Sequence, residues 1–394
     1  MLKKMRILMI APQPFYAERG TPMNVMLLCK VLGDAGYHID LLVFPTGKDV
    51  RLKNMRIVRM PNLLNVNFIP VGPSKIKLAY DFLLTAASLC IVSTKRYEVI
   101  HGIEEGAFLA VILSKIFRNV SIFDMDSYMS DSLKDSGFIK NQVILNLVEK
   151  LEKWCFKKSS VIITVCQALT DRVKLVCPEA NISQIEDIPI QNCKNFTDGQ
   201  VRDLMKKYDL FDFLRVVYTG NLESYQGIDL LLESWKIFCK RKNAIKRCKL
   251  IIVGGSTNQI NFYKKIASQK GIAESTCWVG QRPSTEMRTW MNLGNVLVSP
   301  RSEGENTPLK IYSYMASGRP IVATNRKTHT QVLDNTMAFL AEPEPIHLSQ
   351  ALHDALSGPQ LAIQKADNAK QIVEYKYSFS IFRKKLLATY DSFQ

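Results

Sequence analysis

The stretch VLVSPRSEGENTPLKIYSYMASGRPIVAT, residues 296–324, decides how the rest of the chain is read. Val296–Ser299 is a short unbroken apolar run, the mark of a strand buried on both faces. Pro300 ends it, and Arg301-Ser302-Glu303-Gly304-Glu305-Asn306 is polar loop. Thr307-Pro308 then reads as a helix start, because Thr is a favoured N-cap and Pro suits the first helical position. The helix is expected to run to Gly318, and Pro320–Thr324 to return as a strand. Strand, helix and strand in this order form a βαβ unit and require a parallel sheet. Lys310 falls in the first helical turn, where the dipole disfavours a cation, so it calls for an anion nearby. The helix dipole, the backbone amides around Asn306, Arg301 and Lys310 together suit a diphosphate. Glu305 offers an acceptor to sugar hydroxyls. Equally, Glu303 and Glu305 can pair with Arg301 or Lys310 on a solvated loop, and both readings stay open.

The same grammar recurs outward from this unit. Arg215–Thr219 reads as a strand, followed by Gly220-Asn221-Leu222-Glu223-Ser224-Tyr225-Gln226-Gly227 and a helix over Ile228–Cys239. The glycine spacing is not Gly-x-Gly-x-x-Gly, so a dinucleotide fingerprint is not supported. At the front, strand Arg6–Ala11 leads through Pro12–Gly20 into a helix opened by Thr21-Pro22 and closed at Gly36. Gly20 would allow close approach of a ligand, and Thr21 would cap the helix, although a plain βα turn has the same features. Further strands are expected at Ile39–Phe44, Val99–His101, Ser121–Asp124, Val161–Val165 and Lys249–Val253. Ile188–Asp212 is polar and begins near Pro189, as an interdomain linker passing into a helix would. Phe379–Phe393 carries apolar residues at helical spacing and should close the chain as a packed helix. His101, followed by Gly102, is placed at a strand's carboxyl edge, where it either meets a sugar or is a hydrogen-bonded turn residue. His329 is placed similarly, and Glu104 and Glu105 open the next helix.

With 394 residues and 47% hydrophobic content, the chain suits two or three domains and excludes a disordered or collagen-like polymer. No apolar run is expected to reach the roughly 20 residues that span a bilayer. Leu78–Ser93 comes nearest and carries Asp81. The apolar run at Ile7–Ala11 is too short for a signal-peptide core. Nine cysteines without a Cys-x-x-Cys pair read as reduced thiols, and no Cys or His spacing suggests zinc. Lys and Arg number 52 against 36 Asp and Glu, a formal charge of +16. Nucleic acid, an anionic membrane and phosphate-bearing substrates all fit that sign, but no recognition motif or basic-aromatic stripe supports nucleic acid. Basic residues cluster at Lys48–Arg59 and Lys150–Lys158.

Pro300-Arg301 through Pro320, with Pro-Leu-Lys-Ile-Tyr-x-Tyr-Met-Ala-Ser-Gly-x-Pro, resembles the donor-binding segment of the family four (group 1) retaining glycosyltransferases. Arg6–Gly36, Gly220–Leu232 and Ile251–Gly255 extend the resemblance over nearly the whole chain. It implies the GT-B fold, two Rossmann-like domains facing each other across a cleft. The expected domains are 1–190 on the acceptor side, 191–375 on the nucleotide-sugar side, and 376–394 as a helix crossing back to the first. It also implies a hexosyltransferase-type reaction without a metal or other cofactor, the nucleotide sugar being a co-substrate. Glu305 matches the first of two family carboxylates, while the second position holds Ser313. The family's Arg and Lys on the donor diphosphate are replaced by Asn221 and Gln226. Asp124-Met125-Asp126 imitates a metal-binding Asp-x-Asp, but Asp126 falls near a cleft-facing His of relatives and reads as an acceptor or structural carboxylate.

The catalytic candidates are therefore Glu305, His101 and Asp126. Donor binding is assigned to Gly220, Asn221, Gln226, Arg301, Asn306, Thr307, Lys310 and Ser313, with Gly20 and Thr21 on the N-terminal cleft loop. The expected partners are a nucleotide sugar and a glycan or lipid-linked acceptor, in surface polysaccharide or glycolipid synthesis. The reduced cysteines and the short N-terminal apolar run suggest a cytoplasmic protein, and the surplus charge suggests a peripheral position on the anionic inner face of the cytoplasmic membrane. A silent sugar-nucleotide or glycan-binding protein and a nucleotide-sugar epimerase are the competing readings.

Overall fold

The computed structural model describes residues 5–18, 20–67, 69, 74–135, 139, 141–190, 196–241 and 247–393. Part of the expected linker, 191–195, lies outside them. The chain forms two compact units, Met1–Glu186 with Phe382–Gln394, and Asp187–Ile381.

The first unit runs β1 (Arg6–Ala11), α1 (Gly20–Asp34), β2 (His38–Val43), β3 (Met55–Arg59), α2 (Lys75–Thr94), β4 (Val99–Ile103), α3 (Gly106–Phe117), β5 (Val120–Met125), α4 (Met129–Asp135), α5 (Gln142–Lys158), β6 (Val161–Thr164), α6 (Gln167–Val176) and β7 (Ile182–Gln184). Its sheet has the order β3-β2-β1-β4-β5-β6-β7 with parallel pairing throughout. The second unit runs α7 (Asp198–Lys207), β8 (Leu214–Thr219), α8 (Ile228–Cys239), β9 (Cys248–Val253), α9 (Thr257–Gln269), β10 (Thr276–Gly280), α10 (Met287–Leu293), β11 (Val296–Ser299), α11 (Leu309–Ser317), β12 (Ile321–Thr324), α12 (Lys327–Thr330), β13 (Phe339–Ala341), α13 (Pro345–Ser357) and α14 (Pro359–Lys376). Its parallel sheet has the order β10-β9-β8-β11-β12-β13. The chain ends in α15 (Phe379–Asp391).

Strand periodicity explains the two-sided core of the second unit. Val216 and Tyr218 face a layer containing Trp235 of α8 and Leu348 of α13. Val217, between them, joins Trp290, Tyr312 and Tyr314 on the other face. With both faces covered, β11 is buried over its whole length, which is why its sequence reads as an unbroken apolar run. In each sheet the order reverses once, between β1 and β4 and between β8 and β11. Such a reversal leaves a crevice at the carboxyl ends of the two strands, because their connecting helices lie on opposite faces.

Three local expectations are corrected. Helix α1 already includes Gly20, so Thr21 lies inside it rather than capping it. The cap of α11 is Pro308, with φ −64° and ψ 132°, and not Thr307. Helix α2 extends over 20 residues with mean hydropathy 1.6, long and apolar enough to cross a membrane by composition. The sequence reading stopped short because it began the apolar run at Leu78, whereas Ser74 caps the helix a turn earlier by accepting from the Lys77 N–H.

Candidate functional site

The reversal between β8 and β11 brings together the loops that follow them. Gly227 makes their contact possible. Its φ of 73° favours glycine, and a Cβ there would lie 2.1 Å from the Pro300 carbonyl oxygen. Gly254, after β9, similarly admits the Gly220 carbonyl, which a Cβ would meet at 1.9 Å. The backbone of three loops is thus packed at one sheet edge.

Lys310 enters this edge from the first turn of α11. Its Nζ donates to Gln226 Oε1 at 2.9 Å and lies 4.0 Å from the centre of the Tyr218 ring. A side chain on Gly220 would place its Cβ 3.1 Å from that ammonium. Burial, reinforced by the Arg301 charge, holds the Lys310 pKa well below the usual lysine range. A diphosphate at this point would reverse that balance by giving the ammonium an anionic partner.

Arg301 is buried, and much of its bonding capacity serves its own loop. Its Nε donates to the Glu303 carbonyl at 2.7 Å, and a terminal nitrogen donates to Asn306 Oδ1 at 2.8 Å. Its guanidinium also faces the Tyr225 ring at 5.2 Å. Gly304 fits beneath it with φ 89°, and a Cβ there would come within 2.2 Å of the guanidinium. Arg301 therefore shapes the loop as well as charging it. Thr307 is buried, and among the described residues its Oγ1 has no hydrogen-bond partner. A buried hydroxyl without a partner is costly, and an acceptor arriving with a ligand would relieve it. Glu305 is half-buried, and its carbonyl accepts from Gln331 Nε2 at 2.8 Å. Asn306 is fixed a second time by Thr328, whose hydroxyl donates to its carbonyl at 2.7 Å.

Asn221 and Gln226 serve the loop in different ways. The Asn221 carbonyl accepts from the Tyr218 hydroxyl at 2.5 Å, while Gln226 is buried and holds Lys310. Ser313 is buried on α11, with its hydroxyl accepting the Ile190 N–H at 3.1 Å. That bond ties the start of the second unit to its central helix.

His329 does not face open space. It is fully buried between the Ser299 hydroxyl, 2.9 Å from Nε2, and Thr324, whose carbonyl lies 3.0 Å from Nδ1. Burial drives its pKa down to about 3, opposed by the Thr324 carbonyl and assisted by Lys310 and Arg301. A neutral ring donating from Nδ1 and accepting at Nε2 satisfies both neighbours. Thr324 in turn donates to the Arg301 carbonyl, so His329 braces the strand end under the loop.

In the first unit His101 lies within β4, which continues to Ile103, rather than at its end. It is fully buried, with Nδ1 2.5 Å from the Tyr390 hydroxyl and Nε2 3.1 Å from Asp124 Oδ2. Both ring nitrogens are engaged, so His101 joins α15 to the sheet instead of presenting a free edge to a sugar. Asp126 follows β5 and is half-buried. Gly20 is exposed, and a Cβ on it would meet nothing within 4 Å, while Thr21 is half-buried. The structure thus gathers Gly220, Asn221, Gln226, Arg301, Asn306, Thr307 and Lys310 at one edge of the second sheet. It bonds Ser313 to the Ile190 backbone and His101 to Tyr390 and Asp124. Among the described residues no group of three or more His, Cys, Asp or Glu is arranged to hold a metal ion.

Sequence reasoning missed the tyrosines beneath the site. Tyr218 supports Lys310, and the Tyr314 hydroxyl accepts the Thr219 N–H at 2.9 Å. Tyr312-x-Tyr314 was visible as a motif, but only the fold shows which tyrosine reaches β8.

Residues 214–358 match the family model described as Glycosyl transferases group 1. An alpha-D-kanosaminyltransferase from Streptomyces kanamyceticus is 22% identical over 244 residues, covering 61% of this chain and 62% of that protein. The chain therefore matches less than two thirds of that relative's length. Among solved structures, sucrose-phosphate synthase from Thermosynechococcus elongatus superposes with TM-score 0.79 at 16% identity, covering 99% of each chain. HepE of Anabaena, solved in complex with UDP-glucose, superposes with TM-score 0.76 at 14% identity, covering 98% of this chain and 100% of the other. The fold is GT-B, and residues 214–358 of the second unit match the group 1 glycosyltransferase model.

Proposed function

We propose that this chain, with its group 1 glycosyltransferase domain, moves a sugar from a nucleoside diphosphate donor to a glycan or lipid-linked acceptor with retention of anomeric configuration. The observation that carries the reading is Lys310. Its ammonium is held between Gln226 and the Tyr218 ring beside a second cation, in surroundings that disfavour its charge. The orphaned Thr307 hydroxyl on the same loop supports an anionic ligand there.

In this reading the anomeric carbon loses its bond to the β-phosphate oxygen and gains one to the acceptor oxygen on the same face. The acceptor's proton passes to the departing diphosphate. Lys310 and the loop amides stabilise the negative charge that develops on the leaving group, with Arg301 holding the loop in shape. Glu305 positions the transferred sugar, which is a proximity effect. Gly20, Thr21 and Asp126 are assigned to the acceptor side, and the reaction is proposed to need no metal. Synthesis of surface polysaccharide or glycolipid, at the anionic inner face of the cytoplasmic membrane, is the proposed setting.

A second reading, a binding protein without turnover, is favoured by Gln226, which gives Lys310 an uncharged partner where the family resemblance implies a cation for the donor diphosphate. Nucleotide release from a panel of donor sugars, with and without cell-derived glycan and lipid acceptors, separates the two. Release that depends on acceptor and disappears in Glu305→Ala and Lys310→Ala supports transfer. Donor binding with no release in any acceptor mixture contradicts it, and interconversion of donor sugars without a glycoside product indicates epimerisation.

A further inference from the structure

Three neighbouring helices of the first unit turn apolar side chains to solvent. Helix α3 packs against both α2 and α5. On α2 one face, with Tyr80, Leu84, Ser88 and Val92, is buried in the core, while Leu78, Phe82 and Leu89 form an exposed stripe. Phe82 is 77% exposed. Ile116 is likewise exposed on α3, as are Val143 and Leu147 on α5. Single exposed apolar residues are ordinary, but a run of them across three packed helices marks a surface that something covers.

Charge identifies what covers it. Lys75, Lys115, Lys150, Lys157 and Lys158 are exposed on the same three helices, and among the described residues none of the five forms an ion pair. The carboxylates of these helices are otherwise engaged or set back. Glu149 pairs with Lys153 at 2.6 Å, Glu152 is buried and accepts the Met129 N–H at 2.7 Å, and Asp81 lies half-buried beside the stripe. The other basic cluster behaves differently. Arg56 pairs with Asp40 at 2.9 Å and Arg59 with Asp49 at 2.7 Å, so two of its five cations are matched within the fold.

We propose that α2, α3 and α5 form a face that lies on an anionic lipid bilayer, with the exposed apolar side chains at the acyl boundary and the lysines among the headgroups. Crossing the bilayer would require α2 to withdraw Tyr80, Leu84 and Val92 from the core, so the helix lies on the membrane and does not span it. Self-association through this face would set the same five lysines against their copies across a two-fold contact, which like-charge repulsion disfavours. The proposal deepens the membrane setting of the function above. Because docking is measured with vesicles alone, its failure and the failure of the transfer reading are distinguishable.

The test is flotation of the full chain with vesicles of phosphatidylcholine, or of equal parts phosphatidylcholine and phosphatidylglycerol, without donor or acceptor. The chain should float with the mixed vesicles and not with neutral ones. Combined Lys150→Glu, Lys157→Glu and Lys158→Glu should weaken binding by about a hundredfold or more. Combined Phe82→Glu and Leu147→Glu should abolish flotation while leaving the circular dichroism melt unchanged. If that pair lowers the melt, Leu78→Ser with Leu89→Ser provides an independent loss of flotation. Lys48→Glu with Arg51→Glu should leave binding as it was. Failure of the wild type to float with anionic vesicles overturns the proposal, as does flotation undiminished in both apolar variants. A dimer in sedimentation velocity that Phe82→Glu dissociates, without vesicle binding, overturns it in favour of self-association.

Discussion

Lys310 is a cation whose surroundings favour its neutral form, and this has a measurable consequence for ligand binding. A diphosphate raises its pKa on arrival, so binding should take up protons, and affinity should rise as pH falls toward neutrality from the alkaline side. Calorimetry in two buffers of different ionisation enthalpy measures that uptake, and Lys310→Met should remove it. His329 makes the opposite kind of prediction, about stability. Its pKa lies near 6.5 in the unfolded chain and near 3 in the folded one. Below pH 6.5 the unfolded state therefore binds a proton that the folded state refuses. The His329 contribution is present above about pH 6.5 and is lost as pH falls toward 3, by about 1.4 kcal/mol per pH unit. Denaturant melts of wild type and His329→Gln across that window should show a shallower acid slope in the variant. The sequence placed Arg301 and Lys310 on the correct loop and turn, but it gave no sign that Arg301 bonds to its own loop. That depends on Gly304 turning the chain back beneath it, which a list of charges does not reveal.

At the scale of the element, the legible strands were the central ones. The strands flanking each reversal, β1, β4, β8 and β11, are buried on both faces and read as apolar runs. The four strands absent from the sequence reading, β3, β7, β10 and β13, are the four sheet edges. Met55–Arg59 mixes two arginines into an apolar segment, and Ile182–Gln184 and Phe339–Ala341 have only three residues each. An edge strand is defined by one neighbour's hydrogen bonds, and so short or mixed a sequence does not announce it. The paired loops at the β8 and β11 ends depend on Gly227 more than on any charged residue. Gly227→Ala should force a Cβ into the Pro300 carbonyl, costing about 1–3 kcal/mol of stability from strain at a positive φ. Thermal melts measure the loss, and the donor-induced rise in melting temperature should shrink with it. A wild-type melt and a full donor response would show that the two loops do not need this contact.

On the scale of the whole molecule, the doubled strand–loop–helix grammar made two Rossmann-like units readable from sequence, because each unit buries apolar clusters of its own. The role of α15 was only partly legible. Its helical spacing was plain, but its anchors are Tyr390, bonded to His101, and Asp391, which accepts from Tyr37 at 2.7 Å. Tyr390→Phe removes one buried hydroxyl from His101 and should cost about 1–3 kcal/mol, measured by denaturant unfolding. If His101 acted on a sugar instead, that variant would lower turnover without lowering stability. The central claim is that a donor diphosphate is held at the β8–β11 edge by Lys310, and thermal shift with a panel of nucleoside diphosphates and their sugars tests it most directly. At least one member should raise the melting temperature of the wild type, and Lys310→Ala should abolish that rise while still folding. A panel with no effect on the wild type, or a rise of the same size in Lys310→Ala, would contradict the claim.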